Sequence, residues 1–123
     1  MLQLSDCHLG TNDQFTLAGV NTADSLNAVL SHLKSELPSC DLLTLSGDIA
    51  ADGQPEAYKL FADMLPEVQS LAWLPGNHDD FATMQRSLPW PFRRAVELDN
   101  WVAIFLVSAV PGEVEANGAV LHG

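Results

Sequence analysis

Short apolar runs alternate with amphipathic stretches along this chain, and this order constrains the fold more than any other feature. The apolar runs cover residues 2–4, 41–45 and 71–74, and each has the length of a short strand. Between them, apolar side chains recur every three or four residues, which is the spacing of a helix buried on one face. Strands that alternate with helices predict an α/β layer fold with a parallel or mixed sheet flanked by helices.

The first predicted helix has clear start and stop signals. Asn21 or Thr22 can cap its first turn, and Asp24 places a negative charge at the positive end of the helix dipole. Pro38 ends it, because proline cannot continue a helix. The face expected to be buried consists of Leu26, Val29, Leu30, Leu33 and Leu37.

Two further helices and a strand pair are predicted downstream. Pro55 suits the first turn of the second helix, and Pro66 closes that helix. A shorter helix is expected over residues 80–87. Two runs, 95–98 and 101–107, read as strands joined by a turn at Asp99-Asn100. The remaining segments, residues 10–19 and the tail from Ser108, are rich in turn-forming residues and are expected to be loops.

Composition narrows the functional classes. The 123 residues, 47% of them hydrophobic, suit one globular domain, and we assign residues 1–123 to a single domain. The net charge of −11 argues against a nucleic-acid partner, because the only local group of basic residues is Arg86, Arg93 and Arg94. The start of the chain lacks a basic leader, and no apolar run is long enough to span a membrane. We therefore expect a cytoplasmic protein with no membrane partner.

Three polar motifs follow three of the predicted strands. They are Asp6-Cys7-His8, Gly47-Asp48 and Gly76-Asn77-His78-Asp79. Sites in open α/β sheets gather beyond the carboxyl ends of the strands, so these motifs are expected to meet. Oxygen and imidazole ligands suit Mn, Fe, Zn or Mg, and pairs of such ions cleave phosphate esters. The candidate metal ligands are Asp6, His8, Asp48 and Asn77.

Each motif is weak evidence alone, because short polar pairs are common in turns. If strand alternation continues past residue 4, Asp6 and His8 point to the same side, and Cys7 packs away from them as a small hydrophobe. Glycine at position 47 permits close backbone approach, and the Asp48 carboxylate could bridge two ions.

The third motif combines a ligand with a proton donor. Asn77 offers a neutral amide oxygen, and His78 could protonate a leaving alkoxide. Asp79 could hold the His78 imidazole in its useful tautomer, so His78 and Asp79 are the candidate catalytic residues. The alternative is that Asn77 and His78 only cap the following helix, which would leave the other two motifs unexplained.

The three motifs, in this order, resemble the calcineurin-like metallophosphoesterase superfamily. Longer segments are similar to its bacterial class III cyclic nucleotide phosphodiesterases. These segments are residues 3–9 (QLSDCHL), 19–22 (GVNT), 74–79 (LPGNHD) and 108–112 (SAVPG).

The resemblance implies a fold, a cofactor and a substrate. The fold would be the N-terminal part of a four-layer αββα sandwich. Two divalent or trivalent metal ions would be held by Asp6 and His8, by a bridging Asp48, and by Asn77. His78 would protonate or stabilise the leaving oxygen. The substrate would be a small-molecule phosphodiester, a 3',5'-cyclic nucleotide of the cAMP type.

The family pattern continues with further histidine motifs that these 123 residues do not contain. His122 fits neither motif and is expected to be a surface histidine. The domain is therefore expected to be truncated. Three origins stay open: a naturally short protein, a fragment of a longer one, or a protein completed by self-association or strand exchange, in which case a homo-oligomer would supply the missing ligands. Two alternatives stay open. One is a catalytically incomplete fragment or a non-catalytic dimeric protein that binds metal weakly, and the other is a phosphatase that acts on monoesters.

Overall fold

A computed structural model of the chain describes residues 1–109. The predictions for His122 and for residues 110–112 of the last motif lie outside this range. Eleven short elements follow one another in the described part. They are β1 (Leu2–Leu4), β2 (Thr16–Leu17), β3 (Val20–Asn21), α1 (Thr22–His32), a 3₁₀ turn (Leu37–Ser39), β4 (Leu43–Leu45), α2 (Pro55–Met64), β5 (Leu71–Trp73), α3 (Phe81–Ser87), β6 (Ala95–Leu98) and β7 (Trp101–Ile104).

A parallel three-stranded sheet forms the centre, in the order β1-β4-β5. Leu2 pairs with Leu43, and Leu43 with Leu71, so the three strands end level with one another. This confirms the predicted α/β class, with a parallel sheet and helices. Each pair of neighbouring strands is joined through a segment that contains a helix, as parallel strands require.

Alternation along the strands divides the core between the two faces of the sheet. Leu43, Leu45 and Trp73 point toward the helices and pack with buried residues of α1, α2 and α3. Leu42 and Ala72 point to the other face, where Val96 and Phe105 cover them. The antiparallel pair β6–β7 therefore lies against the face opposite the helices, and the two predicted strands near the end of the described chain are confirmed.

Three local predictions were wrong. The segment predicted as a loop over residues 10–19 contains β2, which pairs with β3 as a small hairpin across Gly19. Helix α1 ends at His32 instead of near Leu37, because a turn over residues 33–36 follows it and Pro38 lies inside the 3₁₀ turn Leu37–Ser39. Val29, expected on the buried face of α1, is 42% exposed.

The cap of α1 is Asn21, whose side chain accepts a hydrogen bond from the Asp24 amide at 3.0 Å. Sequence had left Asn21 and Thr22 as alternatives. Among residues 1–109, no helix has both the length and the apolar character needed to cross a membrane.

Candidate metal centre

The chain segments after β1 and β4 run side by side and carry the first two motifs. The Asp6 amide donates to the Gly47 carbonyl at 3.0 Å, and the His8 amide donates to the Asp48 carbonyl at 2.9 Å. Parallel pairing resumes at Leu9 and Ala50, both fully buried. The candidate residues thus lie on a short stretch of backbone that is anchored on both sides.

Backbone conformation at this stretch differs from the extended form that sequence had suggested. Asp6, His8 and Asp48 have φ angles of 58°, 49° and 51°, in the left-handed region. Such angles are uncommon outside glycine and collect at functional sites. Asp6 and His8 were predicted to converge through strand alternation. That reason was wrong, because β1 stops at Leu4. The two side chains converge through left-handed backbone instead.

Three potential ligand atoms meet at this point. One side-chain atom from each of Asp6, His8 and Asp48 lies within 4.8 Å of the other two. His8 Nε2 and Asp6 Oδ1 are 3.6 Å apart. Ligand atoms about 2.0–2.2 Å from one ion lie at most about 4.4 Å from each other, so small side-chain movements suffice for coordination. Two carboxylates and an imidazole suit Zn, Mn or Fe, and the residues present fit one such ion.

The third motif approaches Asp48 through a pair of glycines. A Cβ built on Gly47 would lie 2.9 Å from the Gly76 Cα, and one on Gly76 would lie 2.2 Å from Asp48 Oδ1. Only glycine at both positions allows this approach, which confirms the role predicted for Gly47. The His78 amide then donates to Asp48 Oδ1 at 2.9 Å. This bond holds the carboxylate of Asp48 from the side of the third motif.

His78 and Asn77 lie in the turn that follows Gly76. The His78 ring is exposed and lies edge-on to the His8 ring, with 5.5 Å between centroids. Asn77 is half-buried in the same turn. The capping alternative does not apply to these residues, because the cap of α3 is Asp80, whose side chain accepts from the Thr83 amide.

The Asp79 side chain has a different set of partners from the one predicted. Its carboxylate accepts hydrogen bonds from the amides of Gly76 at 2.8 Å, Ala50 at 3.0 Å and Ile49 at 3.3 Å. The Tyr58 hydroxyl adds a fourth bond at 2.8 Å. Within the described residues these bonds lead to backbone and to Tyr58, and none leads to the His78 imidazole. Asp79 thus ties the second motif to the third.

Sequence reasoning missed Tyr58. This tyrosine of α2 is fully buried, and its hydroxyl donates to Asp79 Oδ1 and accepts from the Asp80 amide at 3.2 Å. Its position in the apolar face of α2 suggested only a core residue. The available signal was that a buried tyrosine needs a partner for its hydroxyl.

Burial shifts the pKa of three groups at this site. It raises the pKa of the Asp79 carboxyl, although the four hydrogen bonds oppose that rise. It also raises the pKa of the Tyr58 hydroxyl, with the adjacent Asp79 charge acting in the same direction, so Tyr58 stays a donor. Burial, followed by the charges of Asp6 and Asp79, raises the pKa of Cys7 to about 12. Cys7 packs against the helix-side core as a small apolar residue, which confirms its prediction.

Comparison with known proteins identifies the family of this chain. The family model for calcineurin-like phosphoesterases matches residues 1–123. The chain is 36% identical over 117 residues to the 3',5'-cyclic adenosine monophosphate phosphodiesterase CpdA of Pseudomonas aeruginosa. That match covers 93% of this chain and 43% of the relative.

Two more relatives have similar coverage. A 3',5'-cyclic-nucleotide phosphodiesterase of Nostoc is 36% identical over 88% of this chain and 42% of its own length. A cAMP/cGMP dual specificity phosphodiesterase of Mycobacterium tuberculosis is 29% identical over 91% of this chain and 39% of its own length.

The parallel sheet flanked by helices and the family match define an α/β protein with a phosphoesterase-type fold. The chain belongs to the calcineurin-like phosphoesterase family. It spans less than half the length of the curated relatives it matches.

Proposed function

We propose that this chain is the metal-binding part of a phosphodiesterase that hydrolyses 3',5'-cyclic nucleotides of the cAMP type. The observation that carries the proposal is the convergence of Asp6, His8 and Asp48 on one point, with the His78 ring next to His8. The names of the relatives support the choice of a cyclic diester over other phosphate esters.

The proposed ligand roles follow the donor chemistry. Asp6, His8 and Asp48 would hold one ion, and Asp48 and Asn77 would hold a second. When bound at this position, Mn, Fe, Zn or Mg would supply Lewis acidity toward a phosphoryl oxygen and would make a water ligand more acidic. Asp6 and Asp48 contribute two negative charges, which neutralise part of the cation charge and would repel a phosphate in the absence of metal.

The proposed role of His78 is to give a proton to the leaving oxygen. Its exposed ring is open to substrate and lies beside a candidate ligand without being one itself. General acids of this kind contribute typically about 10²–10⁴-fold to rate. Asp79, which sequence had paired with the His78 imidazole, would act here as a positioning residue. Its carboxylate fixes the backbone at Ile49, Ala50 and Gly76, and thereby places Asp48 next to the turn that carries His78.

Metal binding gives the most direct test of this proposal. Elemental analysis of the chain, after incubation with Mn²⁺ and removal of free ion, should give at least one ion per chain. Asp48→Asn should weaken metal binding by at least about 100-fold, since loss even of groups that only orient ligands costs 10–100-fold. The amide keeps an oxygen that can accept from His78, so the fold should persist. Asp52→Asn is the matched control, because Asp52 is exposed and outside the ligand group.

Equal metal content in wild type, Asp48→Asn and Asp52→Asn would overturn the proposal. Metal binding without hydrolysis of cAMP would instead favour the catalytically incomplete alternative. A rate on p-nitrophenyl phosphate that exceeds the rate on its diester would favour the monoesterase. The mass of the species in solution, measured on the same samples, tests the proposed homo-oligomer.

A further inference from the structure

A groove of about 280 Å³ opens directly beside the candidate metal ligands. Its floor is the segment after β1, which includes Asp6, Cys7 and His8. This volume is just below the range for small-molecule sites, roughly 300–1,000 Å³, so the groove suits only part of a ligand. A ligand that reaches the metal position from this side would therefore lie partly in the groove.

The walls of the groove are aliphatic. Leu17 and Val20 of the β2–β3 hairpin form one wall, and Leu26 and Val29 of α1 form another. Leu17, Val20 and Val29 remain between 42% and 54% exposed, although they lie in ordered elements. Val29 had been expected in the core from its helical spacing. Its exposure thus leaves an apolar surface that faces the candidate metal site.

Hydroxyl groups line the same groove, from Ser5, Thr22 and Ser25. Thr22 is more than nine-tenths buried, and its Oγ1 has no hydrogen-bond partner among residues 1–109. A buried hydroxyl without a partner is unfavourable by about 1–3 kcal/mol, so such groups call for an explanation. A ligand with a polar edge could supply the partner after a small rotation of the threonine.

The charged side chains that line the groove determine which part of a ligand can bind there. Among residues 1–109, the lining contains no lysine or arginine, and its only acid is Asp6 at the metal end. A phosphate would find no positive charge in the groove, whereas a neutral group would be accepted. A nucleoside has flat apolar faces and a polar edge, which match aliphatic walls with hydroxyls between them.

We propose that this groove binds the nucleoside part of the substrate, while its phosphate lies at Asp6, His8 and Asp48. The proposal rests on the proposed function, since it assigns the neutral half of the same diester. It makes Leu17, Val20, Val29, Thr22 and Ser25 the residues that select the substrate. A phosphate ester with only a small substituent would leave the groove empty.

Adenosine, which has no phosphate, tests the groove separately from the metal site. Titration of the ¹⁵N-labelled 123-residue chain with adenosine, followed by ¹H–¹⁵N correlation spectra, should shift the amides of Leu17, Thr22, Ser25 and Val29. Inorganic phosphate without metal should leave those amides unchanged. If adenosine shifted mainly the amide signals of other residues, the proposal would be overturned. It would also be overturned if the amide signals of the groove residues disappeared because the chain self-associates without ligand.

Matched variants of α1 sharpen this test. Ser25→Phe fills the groove from an exposed helix position and should weaken adenosine binding by about tenfold or more. Ala28→Phe adds the same ring at an exposed position outside the groove and should leave the dissociation constant unchanged. Thr22→Val removes the hydroxyl with little change in shape and should weaken binding by about three- to tenfold. Equal affinities in all three variants and wild type would overturn the proposal.

A Mn²⁺ titration of the same samples separates the two claims. Adenosine binding without metal binding would refute the proposed function and leave the groove assignment standing. Metal binding that Asp48→Asn abolishes, together with no adenosine binding in wild type, would refute the groove assignment alone. Asp48→Asn itself should bind adenosine like wild type, because Asp48 does not line the groove.

Discussion

The two sides of the candidate metal site are built differently. On one side Asp48 is buried, its carboxylate accepts the His78 amide, and Asp79 ties both loops together with four hydrogen bonds. On the other side the Asp6 side chain is 65% exposed, and that segment is held through backbone pairing with residues 47–49. Folding alone therefore fixes the Asp48 side chain, whereas we expect the Asp6 side chain to depend on the proposed cation for a fixed position.

The largest expected effect comes from crowding the buried side. Gly76→Ala would place a Cβ 2.2 Å from Asp48 Oδ1 and 2.4 Å from the Asp48 nitrogen, and backbone cannot move aside cheaply. We expect a loss of about 3 kcal/mol in the free energy of unfolding, the upper part of the range for overpacking. Urea unfolding measures it. Gly19→Ala is the control, since no atom of residues 1–109 lies within 4 Å of a Cβ built there, and only the φ of +82° adds a cost. Equal losses in the two variants would contradict the close approach.

Removing one hydrogen bond of Asp79 should have the next largest effect. Tyr58→Phe deletes the hydroxyl that donates to Asp79 Oδ1 and leaves the Asp80 amide without its acceptor. We expect a loss of about 2 kcal/mol, since bonds to charged groups contribute about 1.5–3 kcal/mol. Metal affinity should fall as well, because the loops that carry Asp48 and His78 lose a common anchor.

Thr44→Val is the matched control for Tyr58→Phe. It also removes a buried hydroxyl, but Thr44 Oγ1 has no partner among residues 1–109. Its loss should leave the free energy of unfolding unchanged or slightly raised. If Thr44→Val lowered the free energy of unfolding as much as Tyr58→Phe, the hydrogen bonds of Asp79 would stabilise the fold no more than the Thr44 hydroxyl does.

The exposed side should respond in the opposite way. Asp6→Asn should change the free energy of unfolding by less than about 0.5 kcal/mol, as for other surface substitutions. It should nevertheless weaken Mn²⁺ binding strongly, which isothermal titration calorimetry would detect. If Asp6→Asn lowered the free energy of unfolding as much as Tyr58→Phe does, the two sides of the site would not differ in the way described.

Substitution of His78 is expected to have the smallest effect on metal affinity. His78→Ala removes an exposed ring that is proposed as a proton donor, so metal affinity should stay within about twofold, less than the 10-fold that loss of even an orienting group costs. Any cAMP hydrolysis should fall. A tenfold loss of metal affinity, measured by calorimetry, would instead identify His78 as a ligand.

Sequence predicted more of the fold than of the site geometry. The three central strands, the proline-bounded α2 and the β6–β7 pair follow from local patterns, and all formed close to the predicted positions. Asp6 and His8 were placed together, but for the wrong reason, because left-handed backbone at single residues leaves no periodic trace. The partners of Asp79 and the exposure of Val29 depend on contacts between distant segments, which spacing along the chain does not encode.

Paramagnetic broadening by Mn²⁺ tests the central claim most directly. Substoichiometric Mn²⁺ added to the ¹⁵N-labelled chain broadens amides near the bound ion and leaves distant ones sharp. We predict that broadening centres on residues 5–9, 47–50 and 76–79, and that Asp48→Asn removes it while Asp52→Asn does not. Broadening centred on other acidic residues, such as Asp13 or Asp41, would contradict the assignment of Asp6, His8 and Asp48 as the metal site.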